Sequence, residues 1–225
     1  MGVLWPEWQN LARTGTAEQR LAGVADAPVR ALNWTFAATR VSAHQGDMSG
    51  VAALIVFSGL PAAGKTTLSR AIAREMAATY LRIDAIEQAL RSSGLITEDI
   101  GPAGYVVAYA LAESNLKLGQ NVVADSVNPV AATRDAWRRI AAEADAIIVE
   151  IEVICSDPVE HRRRVEARAV DIPGLVPPTW QEVVDRDYEP WDRPRALLDT
   201  AKRSVADSLA ELRLAIGRVV SGERS

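Results

Sequence analysis

The feature that most constrains this chain is a junction: an uninterrupted apolar run over residues 51–57 ends at Ser58 and opens at once into GLPAAGKT, residues 59–66. A continuous apolar run of this length reads as a fully buried central parallel strand. The octapeptide fills every defined position of the phosphate-loop pattern, and a helix is expected over 65–79, with Leu68, Ile72 and Met76 four apart along one face. Gly59, Leu60, Pro61, Ala62, Ala63 and Gly64 would form a tight turn whose backbone N–H groups converge on phosphate oxygens, with the helix N-terminus adding partial positive charge. Lys65 is expected to reach the β- and γ-phosphates of ATP. The Thr66 hydroxyl is expected to ligate Mg²⁺, and Thr67 to make a further phosphate contact.

Downstream, strands and helices alternate. Strands are expected over 80–83, 121–124, 146–155 and 196–198, and helices over 85–91, 103–118 and 205–219, with Gly119 closing the second of these. Asp157, Pro158 and Glu160 read as a capping box that starts a helix running to about Arg168. This order predicts a five-stranded parallel sheet with helices on both faces. The first 47 residues hold three of the six tryptophans but no strand signal, and read as an N-terminal extension to a domain over 48–225. Thr16 with Gln19, and Pro28, could open short helices there. A second reading starts the functional chain at Met48.

In such a sheet, ligands sit beyond the carboxyl ends of the strands, where Asp84 and Asp125 fall. One of them could accept the proton of an attacking hydroxyl while the other holds Mg²⁺ or orients the acceptor, Asp84 being read as the base and Asp125 as the metal partner, or the reverse. Asp84 could equally cap the following helix. Asn128 and Arg134, on the turn after Asp125 and the helix behind it, are candidates to bind the acceptor, or else to form the turn and a solvated face. Tyr105, Tyr109 and Glu113 share a helical face that could line a pocket or simply pack. The segment EHRRRVEARAVDIPG places Arg164 and Arg168 one turn apart before a glycine- and proline-bearing loop, which reads as a lid whose arginines close over the γ-phosphate. His161 is expected to pack. Trp180, Tyr188 and Trp191 could stack on a ring or cover a sheet edge, and Thr200 is expected to border the base.

A formal charge of -4 gives no basic field for a polyanion, which disfavours a general nucleic-acid binder. Cys155 is the only cysteine, so no intrachain disulfide or multi-cysteine metal site is available. With no apolar run of membrane-spanning length and no secretory start, the chain reads as a soluble cytoplasmic protein.

Over 51–219 the sequence resembles the AAA_33-type group of P-loop ATPases, also described as small kinases. The segments that carry the resemblance are SGLPAAGKTTLSRAIA, LRIDAIEQALR, VVADSVNP with RDAW, VICSDPVEHRRRVEAR, and YEPWDRP with LLDTA, in that order. The same architecture is similar to chloramphenicol phosphotransferase, adenylylsulfate kinase and gluconate kinase. The resemblance implies an α/β P-loop NTPase fold with an arginine-bearing lid, and transfer of the γ-phosphate of ATP to a hydroxyl of a small-molecule acceptor. It places the base at Asp84 and phosphate contacts at Arg164 and Arg168. Competing expectations are a nucleotide-dependent ATPase or switch, and a polynucleotide or nucleotide-sugar kinase. No NKxD segment supports a guanine switch, and no glutamate follows Asp125 to activate water, as a motor ATPase would require.

Overall fold

The computed structural model describes residues 51–94 and 99–221. The helices expected near Thr16 and Pro28, and the alternative start at Met48, lie outside the described residues.

The apolar run becomes β1 (Ala53–Ser58), buried at every position. It is followed by α1 (Lys65–Glu75), β2 (Thr79–Arg82), α2 (Ile83–Ser92), α3 (Ala103–Lys117), β3 (Val122–Asp125) and α4 (Ala131–Glu143). Then come β4 (Ile147–Ile154), α5 (Pro158–Glu166), α6 (Trp180–Val184), β5 (Ala196–Asp199) and α7 (Val205–Val220). The five strands form one sheet in the order β2-β3-β1-β4-β5, parallel at every pairing.

Alternation along β1 splits the core in two, because successive side chains leave opposite faces of a strand. Leu54 and Val56 pack with Val122, Ala124 and the α3 and α4 residues Ala108, Tyr109, Trp137 and Ile140. Ala53, Ile55 and Phe57 pack on the other face with Val123, Ile151, Leu68 and Ile72 of α1, and Leu212 and Ile216 of α7. With both faces of β1 covered, none of its residues can be polar until Ser58, where the chain turns into the loop.

Several boundaries differ from expectation, each for a local reason. Helix α1 stops at Glu75 rather than 79 because Ala77 turns into the left-handed region at φ 48°, and the Ala78 N–H closes back on the Ala73 carbonyl at 2.9 Å. Strand β2 ends at Arg82, so Asp84 lies inside the first turn of α2 and is not its cap. A carboxylate there still meets the positive helix end. Asp157 caps α5 by accepting from the Val159 and Glu160 N–H groups, but no reciprocal box forms. Glu160 instead accepts from the Lys202 N–H at 2.9 Å and from Arg164. Helix α5 stops at Glu166, leaving Arg168 beyond its end. The reciprocal capping box lies elsewhere, between Thr179 and Glu182 at the start of α6, a helix the periodicity did not signal.

Candidate active site

A cleft of about 1290 Å³ opens over the carboxyl ends of the strands. Its floor is the turn after β1. Gly59 adopts φ 129° and Gly64 φ 107°, and a Cβ on Gly59 would fall inside contact distance of the Val153 carbonyl oxygen. Ala62, at φ 62°, completes the reversal. No side chain caps α1, whose N-cap is Gly64, so the first N–H groups of that helix open on the cleft that Gly64, Lys65, Thr66 and Thr67 line. Lys65 is buried and folds its Nζ onto the Leu60 carbonyl at 2.8 Å. Burial pushes its ammonium down to about 8, against the raising fields of Asp125 and Asp84. A polyanion in the turn would supply the counter-charge this group lacks.

Residues from other elements hold the turn from outside. The Thr200 hydroxyl, at the end of β5, stands 2.8 Å from the Ala63 carbonyl oxygen and accepts from Arg164 Nη1 at 2.8 Å. Arg164 Nη2 reaches the Thr200 carbonyl at 2.9 Å and Glu160 at 2.6 Å. His161 is buried and meets the Pro61 carbonyl oxygen through Nε2 at 2.8 Å, and because a carbonyl only accepts, Nε2 carries the proton. The second face of the His161 environment is Trp180, edge-on at 5.4 Å.

On the other side of the loop, Asp125 is paired in register with both Phe57 and Arg82, and accepts from the Tyr80 hydroxyl at 2.7 Å. Burial and the Asp125 charge push the Tyr80 phenol up, so it stays a donor. Asp84 lines the cleft, 3.5 Å from Arg82 and 3.9 Å from Arg168. Arg168 thus stands over the same space as Lys65 and Asp125, while Arg164 is committed to Thr200 and Glu160.

Two expected acceptor contacts are elsewhere. Asn128 is fully buried at φ 47°, its side chain donating to Ser58 Oγ at 3.0 Å and accepting from Trp137 Nε1 at 3.1 Å. Arg134 is 1% exposed and donates to the backbone carbonyls of Asn128, Pro129, Glu189 and Pro190. Its guanidinium lies 4.5 Å from the Trp191 ring and 5.2 Å from the Tyr188 ring. These residues staple the loop after β3 to the segment before β5, because a buried cation without a carboxylate partner needs every carbonyl it can reach. Tyr188 and Trp191 serve that staple rather than a ligand ring. Tyr105 reaches the cleft, but Tyr109 donates to the Thr133 carbonyl in the core and Glu113 pairs with Lys117.

Sequence reasoning passed over Arg82, Arg70 and Asp171. Arg82 carried a signal: an arginine inside a short, otherwise apolar strand must have a partner, since isolated charges are costly to bury. Asp171 lies in the lid segment, where only the arginines drew attention.

The family model described as an AAA domain, AAA_33, matches residues 54–177, more than half of the chain. The chain belongs to the AAA_33 family. No curated protein matches it in sequence. Solved structures share the fold of this AAA_33 chain, among them the Mycobacterium tuberculosis APS kinase CysC in complex with AMPPNP and APS, at 18% identity and TM-score 0.56, covering 75% of this chain and 99% of that one. A gluconokinase from Sinorhizobium meliloti is 18% identical with TM-score 0.55, covering 77% and 96%. Kti12 from Chaetomium thermophilum in complex with ADP-AlF3 is 22% identical with TM-score 0.56, covering 74% and 98%. At these identities the likeness is one of fold. Among the described residues no helix is long and apolar enough to cross a membrane.

Proposed function

We propose that the protein is an ATP-dependent phosphotransferase that moves the γ-phosphate to a hydroxyl of a small-molecule acceptor. The observation that carries this reading is the placement of Asp84 on the cleft wall beside Arg168, opposite the phosphate loop and its buried Lys65. In the step, the acceptor hydroxyl oxygen bonds to the γ-phosphorus as the bond to the β-bridging oxygen breaks. ADP leaves with that electron pair, and the hydroxyl proton passes to an Asp84 carboxylate oxygen. A positioned base of this kind contributes about 10²- to 10⁴-fold. The open N–H groups of α1 and Lys65 hold the phosphates, and Arg168 offsets the charge spreading over the transferred group.

Thr66 and Asp125 would hold Mg²⁺. Among the described residues no group of three or more His, Cys, Asp or Glu could bind a metal unaided, so the nucleotide phosphates complete its ligand set, as is usual for Mg²⁺. Bound there, the ion supplies charge neutralisation on the phosphates. The fold is shared with an APS kinase, seen with AMPPNP and APS, and with a gluconokinase, and these kinases support the same class here. The shared fold of Kti12, seen with ADP-AlF3, supports the competing ATPase reading.

The two readings part in one assay. γ-Labelled ATP is incubated with a panel of hydroxyl-bearing metabolites, and products are separated from free phosphate by mass. Label in an acceptor supports transfer, and free phosphate alone across the panel supports the ATPase. Lys65→Ala should abolish both. Asp84→Asn should keep ATP binding and lose transfer by about 10²-fold or more; transfer at the wild-type rate would defeat the base assignment.

A further inference from the structure

Phosphoryl transfer leaves one cluster on the cleft wall unexplained. Arg82 ends β2, two strands from β1 on the side away from Thr200, so about 10 Å from the strand that feeds the phosphate loop. Its side chain is 3% exposed, and its Nε and Nη2 atoms have no hydrogen-bond partner. Only Nη1 is satisfied, donating to Asp171 Oδ2 at 2.7 Å. Arg70 Nη2 donates to the same oxygen at 2.6 Å, and Asp84 Oδ2 stands 3.5 Å from Arg82 Nη2 as an ion pair without a hydrogen bond. One carboxylate oxygen therefore serves two guanidinium groups, while Nε and Nη2, the edge that grips an oxyanion by two parallel bonds, goes unused.

Asp171 does not belong to the wall that holds Arg82 and Arg70. It comes from the segment beyond α5 that lines the cleft, and its side chain is 36% exposed. The lining of the cleft carries eight basic against five acidic side chains, a net three positive in a chain whose formal charge is -4. That excess lies where polyanionic nucleotide and acceptor would meet.

We propose that Arg82 and Arg70 form an oxyanion subsite for the acceptor, which Asp171 occupies as a stand-in until the acceptor's own carboxylate, sulfate or phosphate group displaces it. The inference rests on the phosphotransfer reading for the word acceptor, and it narrows that reading to anionic hydroxyl compounds. With Asp84 beside Arg82, an anion that takes the place of Asp171 on Arg82 Nη1 and Arg70 Nη2, with Arg82 Nε and Nη2 as spare donors, brings a hydroxyl a few bonds away to the base. Asp171 holds Arg82 Nη1 and Arg70 Nη2, so the segment that carries it must move before an anion can take its place. An empty site then closes over its own carboxylate.

The subsite is tested apart from catalysis. The phosphate loop is first saturated with MgADP, and the full-length protein is then titrated with sodium sulfate against sodium chloride at matched ionic strength, following the melting temperature. Sulfate stabilises proteins without saturation by exclusion, so saturation is the readout. Wild type should saturate. Asp171→Asn, freed of the internal competitor, should half-saturate at sulfate concentrations on the order of tenfold lower. Arg82→Gln should show only the unsaturable slope, and Arg70→Gln, whose side chain is 40% exposed and so tolerant of change, should bind several-fold more weakly. Coincident curves for wild type, Asp171→Asn and Arg70→Gln would overturn the inference, as would saturable binding to Arg82→Gln. A transfer screen then compares a neutral polyol with its carboxylated, sulfated and phosphorylated forms, and the form that takes label identifies the anion. Label in the neutral polyol alone overturns the subsite but leaves phosphotransfer standing. Saturable sulfate binding with no transfer to any form upholds the subsite and counts against phosphotransfer.

Discussion

Arg134→Met separates a structural arginine from a substrate-binding one. The wild-type guanidinium makes four hydrogen bonds to backbone carbonyls, at 3.1, 3.2, 3.1 and 2.6 Å, while packed against two aromatic faces. Methionine keeps most of the stem and its packing but strands those carbonyls. An unsatisfied buried acceptor costs about 1–3 kcal/mol, and some of the four will find water or one another, so a net loss of ~3–5 kcal/mol is expected. At about 2–4 °C per kcal/mol for a domain of this size, melting should fall by on the order of 10 °C. The assay is thermal and urea unfolding, with nucleotide affinity and acceptor KM measured well below the new midpoint. Because Arg134 is away from the cleft, the folded fraction should keep its KM. A variant that melts with wild type but shows a raised acceptor KM would refute the staple and return Arg134 to the site.

Three further outcomes follow from the geometry. Gly59→Ala combines a left-handed φ with a clash on the Val153 carbonyl, so it should cost about 3 kcal/mol and sharply reduce soluble yield, and a wild-type melting point would contradict that. Thr200→Val removes the hydroxyl that links Ala63 to Arg164 and keeps the size of the side chain; ADP affinity by calorimetry should fall about tenfold, and unchanged affinity would show that the turn holds its shape without the clamp. Arg82 and Arg70 hold the Asp171 carboxyl at about 2, below its ordinary ~3.9, so the docked lid segment contributes stability fully above that ordinary value and loses it as pH falls toward 2. The melting difference between wild type and Asp171→Asn should be level from pH 8 to 5 and shrink below about 4, and a difference still constant at pH 2.5 would refute the linkage.

What the sequence made legible was local. The run ending at Ser58, the glycines at 59 and 64 and the four-residue spacing of Leu68, Ile72 and Met76 are fixed by strand burial, turn geometry and helix period, and each can be read without a partner. Strand-end position likewise put Asp84, Asp125 and Thr200 on the cleft. Partners far along the chain decided the rest. Arg134 has the residue type and offset of an acceptor contact, yet its fate depends on Glu189 and Pro190, about 55 residues away, which arrive with Tyr188 and Trp191. Asn128 could serve a turn or a ligand until Trp137 claimed its oxygen. Arg82 and Asp171 escaped notice because their meaning is the pair, separated by 89 positions.

Helix α5 and the segment after it are held at two places with different partners. Along its body, His161 and Arg164 bind the phosphate loop through Pro61 and Thr200, so α5 braces the turn. Beyond its end, Arg168 and Asp171 pair with Asp84, Arg82 and Arg70. If α5 and the segment after it moved as one body, the first set would break with the second and the loop would lose its support. Bending confined to the stretch between the end of α5 at Glu166 and Gly174, where φ is 79°, would release Arg168 and Asp171 and leave His161 and Arg164 in place. The arrangement therefore favours a braced phosphate loop beside a cleft wall whose contacts can part separately. It accounts for why Arg164, one helical turn from Arg168, is spent on Thr200 rather than left free over the cleft.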